Sequence, residues 1–315
     1  MDTKEMKGPF RVGLLLTERC DIACAHCWLG TSSNGADMSL DEARDYIDQA
    51  SRIPTVEWIS FTGGEPFLLP GLLNELVAYT SAKGLRTECV TNCSWAGTSV
   101  KTEEALKTLK EAGLDIVNIS ADDFHQEFVS FENVRNCFEA AKSLGLKTVV
   151  MSAAQAGGTL RLVEIINRLG PDEISALREG ESTEGLSAIA VETGFIPVGR
   201  GAELPRDMWL IGESQTEGPC RLVLRDIGID PEGELLACCS AASLLWRGRL
   251  GRVGETGIRQ LLDDAGERPL FKVLAERGPS SLADSLGISW RDGFVSRCHL
   301  CHEVLKDPRL DETLA

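Results

Sequence analysis

Apolar residues gather in six short runs in the first two-thirds of the chain. The stretches between them repeat apolar positions every three or four residues. Short apolar runs are typical of buried parallel strands, and the longer repeat is typical of amphipathic helices. Strand and helix alternate about every 30–45 residues, which predicts a parallel sheet covered by helices. The predicted strands are residues 12–16, 56–61, 86–91, 115–120, 147–152 and 187–196.

Capping residues mark the predicted helices. Ser39 and Glu42 have the spacing of a capping box at the start of the first helix. Glycines are expected to end the helices that follow. These glycines are Gly84, Gly113, Gly145 and Gly170. Six strand–helix units suit an open (β/α)6 barrel of the TIM type or a doubly wound sheet, and periodicity alone does not choose between the two.

The alternation of strand and helix stops near residue 200. Beyond it, residues 227–230 and 234–239 are mostly apolar, and a Pro-Glu-Gly segment at residues 231–233 suits the turn between them. We therefore expect a hairpin in the last third of the chain. The change of pattern predicts two domains, residues 1–200 and residues 201–315.

Composition and charge narrow the function. The chain has 315 residues, and its 32 basic and 48 acidic side chains give a net charge of −16, which disfavours binding to nucleic acid or anionic membranes. No apolar run approaches the roughly 18–20 residues of a membrane span. The first ten residues lack the apolar core of a secretory signal, so we expect a cytoplasmic protein. In that reducing compartment the 11 cysteines are expected to be metal ligands, reactive thiols or core residues.

Three cysteines directly follow the first predicted strand: Cys20, Cys24 and Cys27. Thiolates on short loop spacings hold iron–sulfur clusters, and three of them leave one iron of a four-iron cluster without a protein ligand. Such an open position can take a substrate or a cofactor. The alternative is a zinc site, which usually has four ligands, and His26 could be the fourth.

A Thr-Gly-Gly-Glu-Pro motif follows the second predicted strand, at residues 62–66. Its two glycines would let a ligand approach the backbone closely. This motif, one strand–helix unit after the cysteines, resembles the radical S-adenosylmethionine (radical SAM) superfamily over about residues 11–200. The resemblance implies a partial (β/α)6 barrel whose open iron binds SAM. It also implies cleavage of SAM to a 5′-deoxyadenosyl radical that abstracts hydrogen from a substrate carbon.

The resemblance also implies site residues at the strand ends. Cys20, Cys24 and Cys27 would hold the [4Fe-4S] cluster. The expected SAM-binding residues are Gly63, Gly64, Glu65, Asn92, Ser120 and Asp122. Ser120 and Asp122 alternate with Asn118, and a polar face on a buried parallel strand is consistent with a ligand site. The alternative for each of these residues is capping of the following loop.

A second group of cysteines lies in the last third of the chain: Cys220, Cys238, Cys298 and Cys301. Their spacing resembles the twitch auxiliary domain of some radical SAM enzymes, a β-hairpin and short helix around one four-iron cluster. The longer SPASM domain carries two clusters, for which this chain has too few C-terminal cysteines. The resemblance therefore implies one auxiliary [4Fe-4S] cluster. The same four thiolates could instead hold structural zinc.

Cys239 directly follows Cys238, and neighbours on a strand point to opposite faces. We therefore expect Cys239 to stay outside the auxiliary site. It is either a buried apolar residue or a hydrogen-atom donor. The arrangement resembles radical SAM peptide epimerases of the twitch type, in which an α-hydrogen leaves on one face and a cysteine returns hydrogen from the other.

Two charged residues complete the candidate catalytic set. Asp226 is expected roughly opposite Cys238 on the hairpin, beside the auxiliary cluster. There it could orient a substrate amide or accept a proton, or it could be a solvated strand residue. Arg200, at the domain junction, could hold a substrate carboxylate, phosphate or hydroxyl. An interdomain salt bridge is the alternative for Arg200.

The sequence thus favours a radical SAM enzyme that modifies a ribosomally made peptide or another specialised-metabolite precursor. Epimerisation of a peptide residue is the first hypothesis. The alternatives are dehydrogenation of a secondary alcohol, crosslinking of a peptide, and a metal-binding scaffold without turnover. A cellular reductant such as flavodoxin or ferredoxin would supply electrons, and neither nucleic acid nor membrane is an expected partner.

Overall fold

The computed structural model describes residues 8–178, 181–212, 216–291 and 293–314. Helices surround a single sheet formed by the described strands. The strands are β1 (Arg11–Thr17), β2 (Trp58–Gly63), β3 (Arg86–Thr91), β4 (Ile116–Ser120), β5 (Lys147–Ala154), β6 (Ser175–Ala176), β7 (Ala188–Gly194), β8 (Asp226–Ile229), β9 (Glu234–Leu236) and β10 (Arg249–Arg252). The helices are α1 (Leu40–Ser51), α2 (Pro70–Ala82), α3 (Ser99–Ala112), α4 (Asp123–Gln126), α5 (Phe131–Ser143), α6 (Leu162–Leu169), α7 (Ile258–Glu267), α8 (Pro269–Glu276), α9 (Pro279–Leu286), α10 (Arg297–Lys306) and α11 (Leu310–Leu314).

The sheet is mostly parallel and open. Its strand order is β10-β9-β8-β1-β2-β3-β4-β5-β7-β6, and β9 runs antiparallel to both of its neighbours, β8 and β10. The six predicted strands correspond to β1–β5 and β7, so the α/β class and the open barrel-like sheet are confirmed. Parallel neighbours bring the carboxyl ends of these strands to one edge, where the loops that follow them meet.

The two faces of the sheet differ because strand residues alternate sides. On one face Val12, Ile59 and Val117 are fully buried and belong to the main core under the helices. On the other face β3 carries Glu88 and β4 carries Asn118, both buried and polar. This inner face is the polar surface that the alternation in β4 predicts.

The predicted hairpin is present, and it extends the main sheet. β8 and β9 are antiparallel, and the Asp230 carboxylate accepts hydrogen bonds from the backbone N–H groups of Glu232 and Glu234 in the turn. β8 also pairs in parallel with β1. The sheet therefore continues across residue 200, and the division into residues 1–200 and 201–315 stays a prediction.

Helix caps follow the sequence signals. At the start of α1, Ser39 and Glu42 form the expected capping box. Gly113 ends α3 in the left-handed conformation. Within the residues that the structure describes, no helix combines the length and the apolar character needed to cross a membrane.

Candidate functional site: two cysteine groups and the inner face of the sheet

The first cysteine group lies in the loop between β1 and α1, at the carboxyl edge of the sheet. Cys24 is buried, whereas Cys20 and Cys27 are partly buried. The Cys27 N–H donates to the Cys24 carbonyl over 3.1 Å. Burial raises the pKa of Cys20 to about 11, and Glu65 and Cys24 contribute to that rise. A group of three neighbouring thiols with partial exposure fits a cluster that keeps one iron open.

Gly63 and Gly64 pack against the backbone that leads into this loop. Gly64 N–H donates to the Thr17 carbonyl over 2.6 Å, and Glu65 N–H donates to the Arg19 carbonyl over 2.9 Å. A Cβ on Gly64 would lie 1.8 Å from the Arg19 carbonyl oxygen, and one on Gly63 would lie 2.4 Å from the Thr17 carbonyl oxygen. The structure thus gives these glycines a packing role. The sequence had predicted only that they would let a ligand approach the backbone closely.

Replacing Gly64 with alanine should therefore displace the first cysteine group. The new methyl group would overlap the Arg19 backbone, one residue before Cys20, and overpacking of this kind typically costs about 1–3 kcal/mol. We expect iron per chain after anaerobic reconstitution to fall to about half of the wild-type value. Gly71→Ala is the matched control, since nothing lies within 4 Å of its Cβ position. Full iron content in Gly64→Ala would contradict this interpretation.

Glu65 and Asn92 connect the second motif to the cysteines. The buried Glu65 carboxylate accepts hydrogen bonds from Asn92 N–H at 2.8 Å, Thr91 Oγ1 at 2.9 Å and Phe67 N–H at 3.1 Å. Burial raises the pKa of Glu65 to about 7. Asn92 Nδ2 in turn lies 3.6 Å from Cys20 Sγ. Both residues reach the predicted site, where they support the cysteine loop.

Asp122 caps a helix, which is the alternative the sequence left open for it. Its buried carboxylate accepts from the N–H of His125 at the start of α4 and from Ala153 N–H. The His125 Nδ1 lies 2.9 Å from both carboxylate oxygens. Burial alone would lower the pKa of His125, but Asp122 and a hydrogen bond with Cys24 raise it to about 10. A direct contact of Asp122 with SAM stays a prediction.

His125 belongs to the site, although it was not among the site residues predicted from the sequence. The Cys24 sulfur, one ring nitrogen of His26 and one ring nitrogen of His125 all lie within 4.8 Å of one another. The His26 ring stacks on Phe124 with centroids 4.6 Å apart, and burial lowers the pKa of His26 to about 4. The available signal for His125 was its spacing of three residues from the helix-capping Asp122.

Ser120 and Arg200 occupy different parts of the same edge. Ser120 ends β4, pairs with Met151 of β5 and is partly exposed. Arg200 Nε donates to the Cys24 carbonyl over 3.0 Å, and its Nη1 donates to the Thr31 carbonyl over 2.7 Å. Its described contacts therefore tie the segment after β7 to the cysteine loop, whereas the alternative that the sequence left open was an interdomain salt bridge. A substrate contact by Arg200 stays a prediction.

The four cysteines of the second group line one apolar cavity. They are Cys220, Cys238, Cys298 and Cys301. Cys298 and Cys301 lie on α10 with the i, i+3 spacing that puts both on one helix face. Burial, followed by the neighbouring cysteines, raises the pKa of Cys238 and of Cys301 well above the usual value. Four convergent thiols can fully ligate one metal centre.

Cys239 faces a different place from Cys238, as expected, although β9 ends at Leu236 and both cysteines lie in the bend that follows it. Its N–H donates to the Asp226 carbonyl over 2.7 Å. A Cβ on Gly13 would lie 3.3 Å from the Cys239 sulfur, so this thiol faces β1 on the inner side of the sheet. Burial, followed by the charge of Asp226, raises the pKa of Cys239 to about 12. Cys239 is therefore a partly buried S–H group outside the four-cysteine cavity.

Asp226 lies beside Cys239 and is paired with an arginine. Arg11 Nε and Nη2 donate to its two carboxylate oxygens over 2.8 and 2.6 Å, and Arg11 Nη1 donates to Glu88 over 2.8 Å. Asp226 is only 4% exposed, so the solvated alternative is wrong. Arg11 and Glu88 were not predicted, although a charge within each of two buried strands was a visible signal.

Replacing Arg11 with methionine should leave two carboxylates buried without their cation. Breaking such a pair costs roughly 3 kcal/mol in the free energy of unfolding. Chemical denaturation of the purified chain measures this loss. Arg168→Met is the control, because its ion pair with Glu164 is exposed and should be worth less than about 1 kcal/mol. Equal effects of the two substitutions would show that the Arg11 network does not stabilise the fold.

Comparison with known proteins supports the sequence resemblance. Residues 14–169 match the family model of the radical SAM superfamily. YydG of Bacillus subtilis (strain 168), whose provisional name assigns it to peptide biosynthesis, is 26% identical over 132 residues, or 42% of this chain and 41% of YydG. The PqqA peptide cyclase of Xanthomonas campestris pv. campestris (strain B100) is 30% identical over 189 residues, or 59% of this chain and 45% of the cyclase. The matches span less than half the length of either relative.

Solved structures extend the likeness in fold beyond that segment. BtrN, crystallised with AdoMet and 2-DOIA, matches with a TM-score of 0.55 and 15% identity over 87% of this chain and 90% of BtrN. Streptococcus suis SuiB, bound to S-adenosylmethionine, matches with a TM-score of 0.58 and 14% identity over 90% of this chain and 71% of SuiB. At these identities the likeness shows the fold alone. The family match shows a radical SAM domain at residues 14–169 of this chain.

Proposed function

We propose that this chain epimerises a residue of a peptide substrate, with Cys239 as the hydrogen-atom donor. The observation that carries the proposal is the position of Cys239, a partly buried thiol turned towards the inner face of the sheet and away from the four-cysteine cavity. The names of two relatives, a peptide biosynthesis protein and a peptide cyclase, support a peptide as the substrate class.

The two cysteine groups fit two [4Fe-4S] clusters in this proposal. Cys20, Cys24 and Cys27 hold the cluster that keeps an iron open for SAM, and the second group, lining the apolar cavity, holds an auxiliary cluster. When bound, the first cluster and SAM supply a 5′-deoxyadenosyl radical. The twitch-type identity of the C-terminal part belongs to this proposal.

The chain's own residues position the reacting groups. Gly63, Gly64 and Glu65 hold the second motif against the cysteine loop and present their backbone at the edge where SAM binds. Asn92 and Ser120 lie at the ends of neighbouring strands and line that edge. The Asp122 carboxylate holds the ring of His125 at the same edge.

Arg200 and Asp226 hold the two parts of the site in place, the cysteine loop and Cys239. Arg200 secures the cysteine loop at the carboxyl edge of the sheet. The Asp226 backbone carbonyl holds Cys239, while its carboxylate stays paired with Arg11. Both are positioning residues, since the described structure shows the Asp226 carboxylate engaged by a cation and the Arg200 guanidinium donating to loop carbonyls.

The hydrogen balance of the proposed reaction is simple. The radical takes the α-hydrogen of a substrate residue, and 5′-deoxyadenosine forms. The S–H bond of Cys239 then breaks, and its hydrogen atom returns to the α-carbon from the opposite face. The resulting sulfur radical needs one electron and one proton to become a thiol again. A flavodoxin- or ferredoxin-class reductant supplies this electron and also the one that cleavage of SAM consumes. Water supplies the proton, and the substrate itself is neither oxidised nor reduced.

Coexpression tests the proposal with candidate peptides encoded beside this chain's gene. Each short open reading frame next to the gene would first be expressed alone in ordinary water, and the chain would be induced only after the cells are moved to deuterium oxide, so that the peptide made before the transfer carries no deuterium. Epimerisation predicts a product one mass unit heavier per altered residue after exchange of labile hydrogens, with a D-amino acid on hydrolysis. A product two units lighter would instead favour dehydrogenation or crosslinking and would overturn the epimerase assignment.

A further inference from the structure

Each sulfur of the first cysteine group has a polar side chain close to it, and these partners come from different parts of the chain. Asn92 Nδ2, after β3, lies 3.6 Å from Cys20 Sγ. Thr31 Oγ1, in the cysteine loop itself, lies 3.6 Å from Cys27 Sγ. A ring nitrogen of His125, in α4, lies within 4.8 Å of Cys24 Sγ. The three thiols are thus surrounded by polar groups as well as by apolar packing.

His125 is the most firmly held of these partners. Both oxygens of the Asp122 carboxylate lie 2.9 Å from its Nδ1, and Asp122 itself is 1% exposed. The carboxylate is fixed in turn by the backbone N–H groups of His125 and Ala153. With Nδ1 facing Asp122, the remaining ring nitrogen is the one available to Cys24. At metal sites a carboxylate often accepts a hydrogen bond from a histidine ring and so fixes the orientation of that ring.

We propose that His125, held by Asp122, is a positioning residue that orients Cys24 and raises the reduction potential of the cluster at the first cysteine group. The inference rests on the proposed function only in needing a cluster at Cys20, Cys24 and Cys27. An N–H group directed at a ligating sulfur stabilises the reduced cluster more than the oxidised one, because reduction adds negative charge. Hydrogen bonds to sulfur are among the factors that set these potentials.

The experiment compares midpoint potentials of the first cluster, measured by redox titration with electron paramagnetic resonance. The auxiliary cysteines Cys298 and Cys301 are replaced by alanine in every sample, so that one cluster remains. His125→Phe keeps a ring of similar size but lacks the donor. We expect its reduction equilibrium constant to fall about tenfold, which is about 59 mV for one electron. His125→Gln, which restores an N–H donor, should recover part of that loss.

A matched pair of variants tests the role of the carboxylate. Asp122→Asn weakens the hold on His125 and should lower the potential in the same direction. Asp123→Asn makes the same chemical change one residue later, where the carboxylate accepts from Thr159 and Leu160 instead, and should leave the potential unchanged. Selective ¹⁵N-histidine labelling adds a direct readout, since a nitrogen coupling to the reduced cluster should be present in the parent and lost in His125→Phe.

The outcomes separate this inference from the proposed function. An unshifted potential in His125→Phe with full iron content, or a retained nitrogen coupling, would overturn the role of His125 and leave the enzyme assignment standing. If His125→Phe failed to hold iron, the other two variants would decide. A lowered potential in Asp122→Asn together with loss of the nitrogen coupling in iron-loaded His125→Gln would support the inference, whereas a normal potential in Asp122→Asn or a retained coupling in His125→Gln would overturn it. A parent protein without iron at the first group would contradict the proposed function itself.

Discussion

Replacing Cys20, Cys24 and Cys27 together with alanine should abolish the dithionite-dependent formation of 5′-deoxyadenosine from SAM. The three thiols are adjacent in one loop at the carboxyl edge of the sheet, and the proposal gives them the only cluster with an open iron. Without them SAM has no metal to bind, so we expect product to fall to the level of a reaction without protein. Chromatography of the anaerobic reaction measures 5′-deoxyadenosine directly.

A core cysteine provides the control for this experiment. Cys137 on α5 is fully buried and packs in the main core under the helices. Cys137→Ala should retain SAM cleavage, apart from a small loss of stability. Equal SAM cleavage by the triple variant and the wild type would show that the first cysteine group does not take part in the reaction.

Replacing Cys239 with alanine should abolish the transfer of solvent deuterium to the peptide while SAM cleavage continues. The Cys239 thiol faces Gly13 on the inner side of the sheet, so its loss removes the proposed hydrogen donor without touching the cysteines of either group. Deuterium in the product should fall to background in Cys239→Ala. Cys239→Ser should behave in the same way, because an alcohol O–H does not readily give up a hydrogen atom.

Cys238, the residue before Cys239, provides a matched control. Cys238 lines the four-cysteine cavity, so Cys238→Ala should lose auxiliary iron, whereas Cys239→Ala should keep its full iron content. Mass spectrometry of the coexpressed peptide and iron analysis of the same preparations distinguish the two variants. Full deuterium transfer by Cys239→Ala would exclude this thiol as the donor.

Local patterns predicted much of the fold. The strands β1–β5 and β7 correspond to short apolar runs because a parallel strand covered by helices buries one whole face and much of the other. Ser39 and Glu42 indicated the start of α1, since a capping box depends only on residues three apart. The turn before Glu234 was predictable for the same reason. Each of these features is fixed by neighbours in the sequence.

The supporting contacts of the site could not be predicted in this way. Arg11 and Asp226 are 215 residues apart, and only the parallel pairing of β1 with β8 brings them together. The packing of Gly64 against Arg19 depends on how two loops meet at the edge of the sheet. The sequence located the cysteines by their spacing, but the residues that hold them in place are set by long-range strand order.

Iron and sulfide analysis of the anaerobically reconstituted chain tests the central claim, two clusters on one radical SAM fold, most directly. We predict about eight iron and eight sulfide per chain, because each cysteine group would hold one four-iron cluster. About four of each would contradict the assignment of the second group. Zinc in place of iron at both groups would contradict the radical SAM chemistry altogether.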